Sequence, residues 1–362
     1  MFQFHSTIER IAVIFALVGN VSLILLILKK SVSKLGNYKY LMVYISVFEL
    51  AFAVLHGLTV PVSVEIFLFI YETFSFKVIF TTDCMNFLVT RVDKTWFPKP
   101  ILQVLNVLFC DMFGMSMSLF ATHFIYRYMV LSRKKFLRKY DGRTICVMIL
   151  FSILFGIVWG VFAWDTMQPF PEADRMLSEK FATQMNLTLD QIAYVGILFY
   201  YKDKLGNEQV HWPSVVGIGI QSFFIGISFF LIFYFGFKCY QQTRRLVSSQ
   251  SNSSNNLQSQ LFYALVFQTL IPICLMHVPA SIVYGVAALN KSNDFFGQFL
   301  SLFICLYPAL DPLPNFFIIK SYRKAVRGAP GAELFGPDFL GFLASRLLGF
   351  SAGFFRLLGR TF

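Results

Sequence analysis

The chain lacks what a soluble enzyme or a disulfide-stapled secreted domain requires. Only 14% of its 362 residues are charged and 56% are apolar, too little charge to cover a water-facing surface of this size. Its six cysteines make no disulfide framework. Cys110, Cys146, Cys274 and Cys305 fall within apolar stretches, Cys239 ends another, and Cys84 stands alone among the polar connections on its side. There is no Cys-x-x-Cys and no His-Glu-x-x-His, and no enzyme activity and no cofactor are expected. The five histidines (His5, His56, His123, His211, His277) lie on different segments, so a metal site would need the tertiary fold to assemble it. No internal repeat is present, which argues against a transporter built from inverted halves.

What the chain does have is seven long apolar stretches, at about 8–28, 40–70, 101–131, 144–164, 213–237, 260–289 and 295–320. Each is long enough for a helix to cross a hydrocarbon core, which needs about 20 residues. The expectation is an all-α membrane protein, a bundle of seven transmembrane helices. Charge sorts by side. Lys29 to Lys39, Arg127 to Arg143, Lys238 to Ser259 and Lys320 to the end hold 21 of the 31 basic residues and 3 acids; the opposite connections hold 10 basic residues and 12 acids. A Lys/Arg excess marks the cytoplasmic face, so the N-terminus is expected outside and the C-terminus in the cytoplasm. The first span has no basic n-region and is followed by Lys29 and Lys30, so it reads as an uncleaved helix. The net charge of +12 is then explained by topology and anionic lipid rather than by nucleic acid.

The connections carry their own signals. Asp165 to Val210 is the longest external loop. Ile192 to Tyr201 and Glu208 to Trp212 flank a turn at Lys204 to Asn207 and predict a hairpin over the mouth of the bundle. Asn186-Leu187-Thr188 is a glycosylation sequon on that side. Ser248 to Ser254 reads as a polar linker or a phosphorylation cluster, and Cys239 as a spectator thiol or a palmitoylation site. Residues 328–362 form a tail in which Arg346, Arg356 and Arg360 recur at helical spacing, as in a helix lying on the inner leaflet.

Polar groups inside the spans are the candidates for function, because a carboxylate at mid-bilayer costs about 2.5–3.5 kcal/mol on insertion scales. Asn20, Glu49 and Asp311 fall at similar depths in the first, second and seventh spans and could share a network with Ser46. Asp111 lies 16 residues before Arg127, about 24 Å along a helix, and reads either as a ligand contact or as an interior carboxyl. Pro272, Pro279, Pro308 and Pro312 interrupt the sixth and seventh spans and leave carbonyls without their usual donors.

Several segments resemble the Str class of nematode serpentine chemoreceptors: Gly36-Asn37-Tyr38-Lys39-Tyr40-Leu41-Met42, His123-Phe124-Ile125-Tyr126-Arg127-Tyr128, Gln268-Thr269-Leu270-Ile271-Pro272 and Tyr307-Pro308-Ala309-Leu310-Asp311-Pro312-Leu313. The likeness spans about residues 1–327. It implies a G-protein-coupled chemosensory (olfactory) receptor in the plasma membrane, in the cilia of chemosensory neurons. A small, volatile organic odorant would bind within the bundle, with a heterotrimeric G protein and membrane lipid as partners. By the resemblance, Arg127 stands for the arginine that closes the third helix in such receptors, and Asp311-Pro312 for the Asn/Asp-Pro pair of the seventh. Tyr126 replaces the acid usual before that arginine, so a lock between neighbours is not expected. The expected cavity walls are Asn106, Cys110, Asp111, Phe113, Ile220, Phe223, His277, Tyr284, Phe299 and Phe303. The expected switch and G-protein contacts are Asn20, Glu49, Tyr126, Arg127, Arg244, Arg245, Asp311, Pro312, Lys320 and Arg323. The rival readings are an odorant-gated ion channel, which would place the N-terminus inside, and a small-molecule transporter.

Overall fold

The computed structural model describes residues 2–30, 35–59, 77–93, 95–132, 135–185, 187–203, 205–249, 253–292 and 294–327. The sequon residue Asn186, the expected tail helix and the part of the expected second span beyond residue 59 lie outside them. Among the described residues, seven helices are long and apolar enough to cross a membrane. They are α1 (Phe2–Lys30), α2 (Tyr38–Thr59), α3 (Lys99–Leu131), α4 (Lys135–Thr166), α6 (Trp212–Ser249), a sixth span built from α7 (Ser253–Pro272), a π turn (Ile273–His277) and α8 (Val278–Ala288), and a seventh built from α9 (Asp294–Leu310) and α10 (Leu313–Ile318). A short α11 (Lys320–Arg327) follows, and α5 (Pro171–Met185) lies between the fourth and fifth spans. Large apolar side chains of α1, α4 and α6, such as Ile14, Leu154 and Phe230, are exposed, as a lipid-facing surface requires.

One end of the bundle gathers the basic connections, and the other carries β-structure. Strands β1 (Lys77–Thr82), β2 (Met85–Arg91) and β3 (Ile192–Leu198) form an antiparallel sheet in the order β1-β2-β3, with Phe80 opposite Phe87 and Phe87 opposite Gly196. The β1–β2 turn bends at Asp83, which has a positive φ of 49° and forms a two-way backbone bridge with Ser292 before α9. Lys180 of α5 pairs with the Asp83 carboxylate at 2.6 Å. The sheet is pinned to the helices by side chains: Asn106 of α3 accepts a hydrogen bond from Thr90 at 2.8 Å and donates to the Ala193 carbonyl at 3.3 Å, and Gln103 donates to Tyr194 O at 2.7 Å.

The expected hairpin forms only at its tip. β4 (Tyr200–Lys202) pairs with β5 (Glu208–Val210), whereas Ile192–Leu198 turns to pair with β2. The partner strands at 77–91 were not foreseen. β2 is buried on both faces for most of its length, so it reads as an apolar run without the alternation that marks a half-exposed strand.

Candidate ligand cavity and its link to the basic end

Beneath the sheet lies a cavity of about 560 Å³, within the range of small-ligand sites. Its walls come from α3, α4, α6, the π turn, α8 and α9, and its roof from all three strands together with Phe199. Among the described residues, no Asp, Glu, Lys or Arg lines it. Most of the wall is aromatic or aliphatic, so a charged guest would lose its hydration with no counter-charge in return.

Three polar atoms at this wall have no hydrogen-bond partner: Asn86 Nδ2 of β2, Gln221 Nε2 of α6 and His277 Nδ1. His277 is held by its other nitrogen. Ser116 Oγ donates to the Phe113 carbonyl at 2.8 Å, and His277 Nε2 lies 3.1 Å from the same oxygen. Where the hydroxyl's one hydrogen stays on the Phe113 carbonyl, the neutral ring donates from Nε2 and presents Nδ1 as an acceptor. Phe113 and Phe229 flank the ring at centroid distances of 4.6 and 5.9 Å. The wall therefore offers amide donors and one imidazole acceptor to a neutral molecule.

Of the residues expected to line the cavity, Cys110, Phe113, His277 and Tyr284 do so. The others do not, each for a structural reason. Asn106 is spent on the sheet. Asp111 faces α4, where the absence of side chains at Gly156 and Gly160 makes room for it. Phe223 points outward, 67% exposed, and Ile220 falls beside it off the wall. Phe299 and Phe303 pack on each other and on the core around α9. Helical phase could not be fixed from sequence in helices that are apolar on nearly every side. The contributions of Asn86 and the strands were missed because the strands themselves were, and Gln221 of α6 was missed for want of helical phase.

The wall residue His277 ends the π turn, and below it a chain of polar contacts runs toward the basic end. Pro272 has no N–H, so the Gln268 carbonyl loses its usual helical donor, and the helix repacks as a π turn over the next five residues. The Gln268 side chain donates to Asp311 Oδ2 at 2.7 Å. Asp311 sits where the seventh span breaks between α9 and α10, and Glu49 faces it from α2. Pro312 likewise cannot donate to the Pro308 carbonyl; Asn20 of α1 donates to that carbonyl instead, at 2.9 Å. Glu49 and Asp311 thus meet as expected, with Gln268 as an added member; Asn20 bonds the Pro308 carbonyl next to them, while Ser46, expected in the same network, turns back to its own helix and donates to Met42 O.

At the basic end Arg127 is buried and, among the described residues, held without a carboxylate. It donates to Gln258 Oε1 at 2.6 Å and to the Gln258 carbonyl at 2.7 Å, and its guanidinium lies 5.2 Å over the Tyr38 ring. Tyr126 stacks on Tyr38 and donates to Asp141 of α4 at 2.6 Å. Gln258, which sequence reasoning missed, lies ten residues before Gln268, about 15 Å along the sixth helix. Arg244 is exposed at the end of α6, as is Arg245 beside it; the Lys320 backbone N–H donates to Gln260, and Arg323 donates to the Phe317 carbonyl.

A seven-helix bundle with a ligand-sized cavity at one end and a buried arginine at the other has the rhodopsin-like fold. Squid rhodopsin has that fold: it superposes with a TM-score of 0.60 at 14% sequence identity, over 90% of this chain and 84% of that one. The sequence model for the serpentine type 7TM GPCR chemoreceptor Str matches residues 5–327, and the chain belongs to that family. It is 34% identical to G-protein coupled receptor str-217 of Caenorhabditis elegans over 90% of each chain. It is 26% identical to Serpentine receptor class r-10 of the same animal, over 84% of this chain and 85% of that one.

Proposed function

We propose that the chain is a chemosensory receptor that binds a small, neutral organic molecule in the cavity beneath the sheet and signals through a heterotrimeric G protein at its basic end. The observation that carries this reading is the cavity wall: among the described residues it is mostly apolar and uncharged, with three unpartnered polar atoms. A carbonyl or ester oxygen would accept from Asn86 or Gln221, and a hydroxyl would donate to His277 Nδ1. Family membership supports the G-protein partner, and the Lys/Arg excess supports a plasma-membrane orientation with the sheet outside and the basic end in the cytoplasm.

In this reading the resting state is held by the Arg127–Gln258 contact between the third and sixth helices. A ligand that contacts His277 acts on the end of the π turn. The segment below Pro272 then has a second available packing, in which Gln268 leaves Asp311 and Gln258 leaves Arg127. Ligand shifts the equilibrium only by its preference for that packing. Arg127, with Arg244, Arg245, Lys320 and Arg323 around it, then meets the G protein. The test is calcium recording in cells that co-express a promiscuous G-protein α subunit, against a panel of volatile and water-soluble odorants, with Arg127→Ala matched for surface level. A response lost in Arg127→Ala supports the proposal. An equal response in both overturns the role given to Arg127.

A further inference from the structure

Away from the cavity, side chains from three helices converge near the sheet end of the bundle. Glu9 of α1, His56 of α2 and Cys305 of α9 each bring one donor atom, and the carboxylate oxygen, imidazole nitrogen and thiol sulfur all lie within 4.8 Å of one another. All three residues are buried, at 4%, 3% and 2% exposure. None of them lines the cavity.

We propose that Glu9, His56 and Cys305 form a zinc-binding site that staples the first, second and seventh helices. The donor set is one that Zn²⁺ accepts, with Zn–S about 2.3 Å, Zn–N about 2.0–2.1 Å and Zn–O about 2.0–2.2 Å. Tetrahedral bonds of those lengths hold donors roughly 3.3–3.7 Å apart, so closure needs only a side-chain adjustment of about 1 Å. Charge favours it too. One carboxylate, one thiolate and a neutral imidazole cancel the charge of one Zn²⁺, and a neutral centre is what a site buried among membrane helices tolerates. Softer Cu(I) would gain nothing from the carboxylate, and hard Mg²⁺ or Ca²⁺ nothing from the sulfur.

The surroundings already orient the ligands. Ser301, one turn before Cys305, donates to Glu9 Oε1 at 3.1 Å and fixes the carboxylate. The His56 ring packs at 5.8 Å from Phe109. The Cys305 thiol donates to Leu302 O at 3.1 Å; on binding, the S–H bond breaks, the sulfur lone pair goes to Zn²⁺ and the proton leaves to solvent. The fourth coordination position is filled by water. Because α9 leads directly into the Asp311–Pro312 break, the staple acts on the helix that also carries the polar network.

Co²⁺ titration of the metal-stripped, full-length receptor in lipid nanodiscs tests this. We expect one Co²⁺ per chain, a thiolate-to-cobalt charge-transfer band, and its stoichiometric loss when Zn²⁺ is added. The band should survive Cys84→Ala and disappear in Cys305→Ala, and His56→Gln and Glu9→Gln should weaken binding at least tenfold. In the wild type, Zn²⁺ should also raise the thermal midpoint of unfolding. No band in the wild type would overturn the proposal, and so would a band that persists in Cys305→Ala. The wild-type titration decides even where a variant folds poorly.

Discussion

Arg127 and Gln258 show how a buried charge can be held without an opposite one. The guanidinium makes two hydrogen bonds to a single glutamine and lies over a tyrosine ring. Hydrogen bonds to charged groups contribute about 1.5–3 kcal/mol each, and about 1.4 kcal/mol is a tenfold change in an equilibrium. Gln258→Ala should therefore raise ligand-independent signalling roughly tenfold or more, while Gln258→Glu, which turns the latch into an ion pair, should lower it below wild type. Basal reporter output at matched surface level measures both, and equal output from all three proteins would remove the latch from the mechanism. In the cavity, Asn86→Leu keeps the branched side-chain shape and deletes a donor. Ligands with an acceptor oxygen should lose about tenfold in potency if they use it, at about 1 kcal/mol per hydrogen bond, and purely hydrocarbon odorants should not. Dose–response curves for matched ketones and alkanes read the difference.

Among the elements, the sheet is the part with the most to lose. A Cβ at Gly297 of α9 would overlap the Ile79 carbonyl oxygen, because β1 lies directly on that helix and Thr81 accepts from the Gly297 N–H. Gly297→Val should lift β1 off α9 and open the cavity roof, seen as faster amide exchange in β1 and β2 and a lost ligand response; unchanged exchange would mean that the strand tolerates the group. Close by, His211 stacks on Phe170 at 4.1 Å between centroids, and burial lowers its pKa below the usual value despite Glu172 nearby. A proton then binds the unfolded form better than the folded one, so the stability it contributes is present above the ordinary histidine pKa of about 6.5 and fades as pH falls below it. Amide exchange around β4, β5 and the start of α6 should accelerate as pH is lowered from 7 to 5, after correction for intrinsic exchange, and His211→Phe should flatten that dependence.

For the whole molecule, charge and hydropathy were enough to read the architecture, because the bilayer demands about 20 apolar residues per helix and sorts lysine and arginine by side. The cluster of Asn20, Glu49 and Asp311 was legible for the same reason, although the expected Ser46 does not join it: polar groups stand out in an apolar span. The sheet was hidden. Phe80, Phe87 and Leu88 are all buried, and nothing local distinguishes such strands from a continued span. Gln258, the zinc-ligand triad and the identity of the wall residues depend on helical phase and on pairings between distant segments, which one sequence does not encode locally.

The measurement that bears most directly on the cavity as the ligand site is the odorant response of a receptor whose cavity has been filled. Ala280 is buried on the wall, so Ala280→Phe places a ring in the space without adding charge, and Phe223→Ala on the outer face serves as its control. At equal surface level, Ala280→Phe should lose the response to odorants that activate the wild type while keeping its basal signal, and Phe223→Ala should respond as the wild type does. A full response from Ala280→Phe at unchanged potency would place the ligand somewhere other than beneath the sheet.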